Sequence, residues 1–132
     1  MGITDVSGEG VIINVLDGAD LIHQEDVVIL IDEYAFYSCS SMRDLHLGNS
    51  IQTIGRYAFQ NCDKLTEITL PDTVSKIGDC CFESCDSLET VNIGKSLTNW
   101  GHQAFANNHK LTKINFAEGL KNISMYLHFF VL

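Results

Sequence analysis

Apolar and polar residues alternate in short stretches along the middle of the chain. In the most regular stretch, Leu65, Ile68 and Leu70 are separated by polar residues that include Glu67 and Thr69. This alternation predicts a short strand that turns its apolar side chains inward and its polar side chains outward. A strand with one polar face is expected to belong to a sheet that is open to solvent on that side.

The same pattern returns every 23 residues, and an Ala-Phe pair or a variant of it marks each copy. Residues 74–78 predict a second short extended segment, with Gly78 allowing the chain to turn out of it. The Ala-Phe stretch is expected to form a helical turn on the opposite side. A unit this small cannot bury its apolar residues alone, so stacked copies are needed to build a core. The phenylalanines expected to stack in that core are Phe36, Phe59, Phe82 and Phe105.

The repeat has a recognisable form, with Leu-x-x-Ile-x-Leu-Pro at residues 65–71, then Val-x-x-Ile-Gly, and then Ala-Phe-x-x-Cys, which is complete in two of the four copies. This form resembles the BspA-type leucine-rich repeats over about residues 26–124. Cys81 and Asn108 depart from the pattern without removing an apolar core position. The resemblance implies a repeat solenoid, a right-handed leucine-rich-repeat coil with short parallel strands, many turns and little helix. It also implies a protein-binding role, as in surface and host-contact proteins of bacteria and protists.

Three segments follow from the repeat boundaries. Residues 1–25 are predicted to form an acidic N-terminal cap, residues 26–124 a solenoid of about four repeats, and residues 125–132 an apolar C-terminal cap or interface. Two alternatives stay open for the last segment: it folds back over its own last coil, or it joins a second chain in a two-fold dimer. The residues assigned to that interface are Tyr126, Leu127, Phe129, Phe130, Val131 and Leu132.

The repeat register fixes which side chains share the open, concave sheet face. One row is predicted to contain Leu21, Asp44, Glu67, Thr90 and Lys113, and the neighbouring row His23, His46, Thr69, Asn92 and Asn115. The members of both rows from Asp44 onward are the predicted partner-binding residues. Stacked coils lie about 4.8 Å apart, so neighbours within a row are expected to touch.

This face also carries the candidates for chemistry. His23 and His46, with Asp44 nearby, have the donor types of a metal site, but two imidazoles on an exposed ladder are more typical of ordinary surface residues, so no metal or other cofactor is predicted. Asp44 and Glu67 form a carboxylate pair, yet in open solvent neither is expected to gain the shifted pKa of an acid catalyst. No motif for a nucleophile, a nucleotide or a catalytic metal is present. The chain is therefore predicted not to be an enzyme.

The five cysteines indicate a reduced protein. Cys39, Cys62 and Cys85 share one repeat position, where a thiol can fill space in the core and reach a turn carbonyl. Asn108 at the same position suggests a similar turn-bonding role. Parallel side-chain directions and the odd total argue against disulfides, which favours a reducing compartment. Cys80 lies at a different position and is expected to be the exposed, oxidisable thiol.

Charge narrows the choice of partners. The chain has 17 acidic and 8 basic residues, a formal charge of −9, and residues 1–33 hold eight of the acids and no lysine or arginine. Such a molecule repels phosphate backbones, so direct nucleic-acid binding is not expected. The acidic first quarter is interpreted either as a solubilising cap or as a face that steers a basic partner. No apolar run is long enough to span a membrane, so no membrane association is expected. No signal peptide is visible in this sequence, which predicts a cytoplasmic location, or a secreted or surface location if the sequence is a trimmed one.

Two functions from different classes fit these observations. The first is a non-catalytic module that displays its concave sheet face to a protein ligand. The alternative is a small acidic cytoplasmic inhibitor of the kind that a phage could encode. Its anionic first quarter would mimic nucleic acid and block a nucleic-acid-binding enzyme.

Overall fold

The computed structural model describes residues 30–120, together with the backbone of residues 11–15. This part of the chain contains nine short strands and no helix. The strands are β1 (Val11–Val15), β2 (Leu30–Ile31), β3 (Met42–Leu47), β4 (Thr53–Ile54), β5 (Glu67–Thr69), β6 (Lys76–Ile77), β7 (Thr90–Ile93), β8 (Asn99–Trp100) and β9 (Lys113–Phe116). The predicted cap, residues 1–25, and the C-terminal segment, residues 125–132, lie outside the described residues except for β1.

All strand pairs among the described residues are parallel. From β2 onward, each residue pairs with the residue 23 positions further along, in the next coil. One sheet has the order β2-β4-β6-β8, a second has the order β5-β7-β9, and β1 pairs with β3. Thr53 lies opposite Lys76, which in turn lies opposite Asn99. Each complete coil thus gives one strand to each of two sheets, and the predicted solenoid is confirmed.

A column of phenylalanine rings forms the centre of the core. Phe36, Phe59, Phe82 and Phe105 stack with ring centroids 5.0 to 5.2 Å apart and ring planes within 8° of parallel. The last three rings are fully buried. The register predicted for these residues is confirmed, because one ring from each repeat meets the equivalent ring of the next.

The Ala-Phe stretch does not form the expected helical turn. Within one copy, the N–H groups of Tyr57, Phe59 and Asn61 donate to carbonyl oxygens of the next coil at 2.8 to 3.0 Å, whereas Ala58 and Gln60 donate to carbonyls three residues back. Alternate amides thus bond between coils, so a continuous helical ladder cannot form. The stretch is a third line of backbone hydrogen bonds that holds the coils together.

Glycine has a different role from the one expected at Gly78. The left-handed backbone conformation occurs at Gly119 and at non-glycine residues, but not at Gly78. A Cβ atom on Gly78 would overlap the backbone nitrogen of Arg56 in the preceding coil. Glycine is needed there because two backbones approach closely. The predicted reason, that Gly78 allows the chain to turn, is therefore wrong.

All five cysteines are free. The Sγ atoms of Cys62 and Cys85 donate to the carbonyl oxygens of Phe36 and Phe59, each at 3.3 Å. In the next coil, Asn108 Nδ2 donates to the carbonyl oxygen of Phe82 at 3.0 Å, which confirms the turn-bonding role predicted for this position.

The prediction for Cys80 was wrong. Its side chain is buried, whereas Cys39 is half-buried. Cys80 Sγ lies 3.9 Å from Gln103 Oε1 of the next coil, with which it forms a long hydrogen bond. Residues one repeat apart stack on each other, so the small side chain of Cys80 is covered although the larger Tyr34 and Gln103 at the same repeat position are exposed.

Candidate functional site

The open face of the sheet β5-β7-β9 carries the predicted rows in the predicted register. Glu67 pairs with Thr90, which pairs with Lys113. In the adjacent row, Thr69 pairs with Asn92, which pairs with Asn115. All six side chains are exposed or half-buried, while Ile68 and Val91 between them are buried. The structure therefore brings six of the predicted partner-binding residues together on one solvent-facing surface.

Asn92 is the centre of a hydrogen-bonded ladder on this face. Its Nδ2 atom donates to Glu67 Oε1 at 2.7 Å and to Thr69 Oγ1 at 3.0 Å. Asn115 Nδ2 donates in turn to Asn92 Oδ1 at 2.7 Å. The side chains are thereby held in one arrangement across three coils. A fixed polar surface loses less conformational entropy on binding than one formed by free side chains.

The first coil extends the face differently from the prediction. Asp44 and His46 lie on β3, which pairs with β1 so that Ile12 is opposite Asp44 and Asn14 is opposite His46. The sequence register gave these two positions to Leu21 and His23, both of which lie outside the described residues. The repeat pattern is degenerate before residue 26, so its period does not carry over to the strand that covers β3. Among the described residues, no group of three potential metal ligands is present.

A depression separates β3 from β5 on the open face. The two strands are neighbours in the solenoid but belong to different sheets. The space between them has a volume of about 420 Å³, within the range typical of ligand-sized clefts. Its lining residues are Asp44, Leu45, His46, Leu47, Asn49, Glu67, Thr69 and Pro71.

A second, shallower depression continues across the later coils. It has a volume of about 270 Å³ and shares Thr69 with the first. Its other lining residues include Asn92 and Asn115 of the ladder and the backbone of Gly94. A Cβ atom on Gly94 would lie 2.6 Å from the Pro71 carbonyl oxygen. Together the two depressions form a trough that follows the C-terminal ends of the strands from β3 to β9.

The charge on the face is graded from one end to the other. Asp44 and Glu67 line the first depression, and no lysine or arginine within residues 30–120 does. Lys113 lies at the opposite end, on β9. Arg43 is adjacent to the first depression, where its Nε atom contacts Asp44 Oδ2 at 3.1 Å.

Sequence reasoning missed part of this site. Asn49 and Pro71 line the first depression although neither lies in the predicted rows. Extending the outward alternation of β5 past Thr69 would have found Pro71, whereas Asn49 does not continue the alternation of β3 and carries no such signal.

A group of three tyrosines on the turn side, two exposed and one half-buried, was also not predicted. Tyr34 stacks on Tyr57 with ring centroids 4.8 Å apart, and Tyr34 and Tyr37 pack edge to face with centroids 5.5 Å apart. Arg56 lies beside this group and pairs with Glu33 at 2.8 Å. The residues come from two successive coils, so the group belongs to the stacking of the repeats.

The residues predicted for an oligomer interface, Tyr126, Leu127, Phe129, Phe130, Val131 and Leu132, lie outside the described residues. Within the part that the structure describes, no helix has the length and apolar character that crossing a membrane would require.

Solved structures with the same fold are repeat proteins. A leucine-rich repeat protein from Bacteroides ovatus ATCC 8483 is 33% identical, with a TM-score of 0.71, over 79% of this chain and 26% of that one. A leucine-rich repeat protein from T. pallidum is 28% identical, with a TM-score of 0.56, over 67% of this chain and 46% of that one. The pneumococcal vaccine antigen PcpA, 21% identical with a TM-score of 0.56 over 74% of this chain and 27% of its own, is similar in fold. The chain thus spans less than half of each of these proteins. No curated protein matches the sequence.

The repeats themselves match a family. Residues 23–130 match the BspA type leucine rich repeat region in six copies. This range includes all of β2 to β9 and every described residue of the open face on those strands. The chain belongs to the BspA-type leucine-rich repeat family.

Proposed function

We propose that the chain is a non-catalytic module that binds a protein ligand through the open face of β3, β5, β7 and β9. The observation that carries this proposal is the ordered polar ladder beside a trough, in which Asn92 joins Glu67, Thr69 and Asn115. A surface of this kind offers many hydrogen-bonding groups across several coils. It suits an extended or folded protein surface better than a small molecule enclosed on all sides.

The absence of catalysis is part of the proposal. The carboxylates on the face, Asp44 and Glu67, both border solvent, and each already contacts a side chain of this chain. General acid or base catalysis requires a group whose pKa is tuned towards the working pH, usually by burial. The buried titratable groups among the described residues are thiols, and they lie inside the solenoid.

A photo-crosslinking experiment tests the proposed face. A benzophenone amino acid is placed at Lys113 on β9 or, as a matched control, at Lys76 on β6 of the other sheet, since both lysines are exposed strand residues. The expected result is that the same protein from the source cells is captured at Lys113 and not at Lys76. Excess unmodified protein should abolish the capture, and the Asn92→Ala variant should compete less well. Equal capture at both positions would overturn the assignment of the face.

The inhibitor alternative depends on the acidic first quarter, residues 1–33. Of these, the structure describes residues 30–33 and the backbone of residues 11–15. No observation on the described residues favours that function, so the protein-binding module is the one function proposed.

A further inference from the structure

The depression between β3 and β5 interrupts an otherwise regular face. From β5 to β9 the strands form one hydrogen-bonded sheet, and their outward side chains contact each other from coil to coil. Between β3 and β5 the sheet is not continuous, and a space of about 420 Å³ lies between the two strands. A side chain of a partner can enter the face here, beside Glu67 at the edge of the ladder.

The groups around this space are suited to a cation. Two of them, Asp44 and Glu67, are carboxylates, and among the described residues no lysine or arginine lines the space. Asn92 donates one hydrogen bond to Glu67, whereas Asn115 donates to Asn92. An amide carries no net charge, so the negative charge of the two carboxylates remains. Charged donors form the strongest hydrogen bonds with carboxylates, and a guanidinium can bind one in a bidentate arrangement.

Arg43 already shows this chemistry at the edge of the depression. Its guanidinium Nε lies 3.1 Å from Asp44 Oδ2, and the two side chains are 46% and 44% exposed. Exposed pairs of neighbouring residues contribute little to stability and exchange readily. A partner's cation can therefore replace Arg43 at Asp44 at small cost.

The lower walls of the depression add apolar contact. Leu45 is buried and Leu47 is half-buried, and both line the space together with Pro71. The methylene groups of a lysine or arginine can pack on such a surface while the charged end reaches a carboxylate. An inorganic cation would not use these contacts.

We propose that the depression between β3 and β5 receives an arginine or lysine side chain from an extended basic segment of the protein partner. This inference rests on the proposed function and adds the chemistry of the ligand. The trough that continues along β5, β7 and β9 holds the rest of the segment, because the second depression adjoins the first at Thr69.

The test uses a short peptide that alternates arginine and serine, titrated into the whole chain by calorimetry at low and at physiological salt. The variant Asp44→Asn/Glu67→Gln removes both carboxylates while leaving an oxygen that Asn92 can still bond. We expect it to bind the peptide about five- to tenfold more weakly. Asp86→Asn/Glu118→Gln is the matched control, since it changes the net charge equally at two exposed residues outside the depression. It should weaken binding by less than about twofold, the level expected of long-range attraction alone.

Removal of the competing arginine, Arg43, is the more specific test. Arg43→Gln should tighten peptide binding by about two- to fivefold, because it frees Asp44 and removes a repelling charge. Arg56→Gln makes the same charge change on the turn side, where Arg56 pairs with Glu33, and should have a smaller effect.

Several outcomes would overturn the inference. These are equal losses in the two double variants, equal binding of a peptide with citrulline in place of arginine, or no binding of the arginine peptide at all. Spermidine binding with the same dependence on Asp44 and Glu67 would overturn the assignment to a protein segment. In each case a partner captured at Lys113 and not at Lys76 would leave the proposed function standing, so the two failures are distinguishable.

Discussion

At the scale of single residues, backbone conformation is controlled at two positions of each of four described repeats. Within residues 30–120, eight non-glycine residues have φ angles between 54° and 61°. One of the two positions is held by Ser38, Asn61, Ser84 and Asn107 in successive coils. Asparagine tolerates this left-handed region better than other residues with a side chain, because its short polar side chain can hydrogen-bond locally. The serine coils are therefore expected to be less stable at this position than the asparagine coils.

Ser84→Asn should raise the free energy of unfolding by up to about 1 kcal/mol, because asparagine relieves part of the cost of the left-handed backbone. Urea denaturation measures the change. Ser87→Asn is the control, since Ser87 is a nearby turn residue of the same type without a positive φ. An equal gain in both variants would show that the conformation at residue 84 is not the cause.

The thiols give a second prediction at this scale. Burial raises the pKa of Cys85 to about 12 and that of Cys80 to about 11, and the thiolate is the form that reacts. The pKa of Cys39 is also raised by burial, but its side chain is the most accessible of the five. In the native protein at pH 8, iodoacetamide should modify Cys39 first, and modification should accelerate as the pH rises. Peptide mass mapping detects the site, and earlier modification of Cys80 would contradict the burial of that residue.

At the scale of strands and turns, the coils are held at close range by glycines that no side chain could replace. Gly55, Gly78 and Gly101 follow β4, β6 and β8, and a Cβ on each would overlap backbone atoms of the preceding coil. These contacts involve backbone atoms, which cannot move aside without separating the paired strands. The spacing of the sheet β2-β4-β6-β8 thus depends on the glycine column.

Gly78→Ala is expected to lower the free energy of unfolding by about 3 kcal/mol, at the upper end of the cost of overpacking. Gly119→Ala is the comparison, because Gly119 has a φ of 93° and a Cβ added there would meet nothing within 4 Å. Gly119→Ala should lower the free energy of unfolding by about 1 to 2 kcal/mol, the conformational penalty alone. If Gly119→Ala costs as much as Gly78→Ala, close approach is not what requires glycine in this column. Thermal or chemical denaturation of both variants provides the measurement.

At the scale of the whole molecule, stability is the sum of contacts between neighbouring coils. The phenylalanine column shows this most directly, since Phe59 contacts the ring before it and the ring after it at 5.2 and 5.0 Å. Loss of one central ring therefore weakens two interfaces at once.

Phe59→Ala should lower the free energy of unfolding by about 3 to 5 kcal/mol, enough to unfold a domain of this size under mild conditions. Phe116→Ala is a suitable control, because Phe116 is half-buried on β9, in the last coil of the described residues. Phe116→Ala should lower the free energy of unfolding by clearly less than Phe59→Ala. Unchanged stability of Phe59→Ala in urea denaturation would contradict the stacked column.

Self-association is a further prediction for the whole chain, carried by the sequence of residues 125–132. Seven of these eight residues are apolar or aromatic, and soluble proteins generally cover such segments. We propose that two chains join at this end in a two-fold dimer. Light scattering at tens of micromolar should give the mass of a dimer, and removal of residues 126–132 should return it to a soluble monomer. If the intact chain is a monomer, the dimer proposal is wrong. The alternative is then that residues 125–132 fold back over the last coil of their own chain.

The period of the sequence alone determined the solenoid, the buried phenylalanine column and the rows Glu67-Thr90-Lys113 and Thr69-Asn92-Asn115. It could do so because identical spacing places equivalent residues of consecutive coils next to each other, whatever the details of the turns. The turn-bonding role of Asn108 followed in the same way from its position in the cysteine column.

The tertiary structure decided the features that depend on how far apart two coils lie and on what covers the first of them. Asn14 stands opposite His46 because β1 follows no repeat register, and Cys80 is buried because Gln103 stacks on it. The depression between β3 and β5 arises where two sheets meet. A repeating pattern describes each coil by itself, whereas these distances result from the balance of contacts between neighbouring coils, which no single repeat contains.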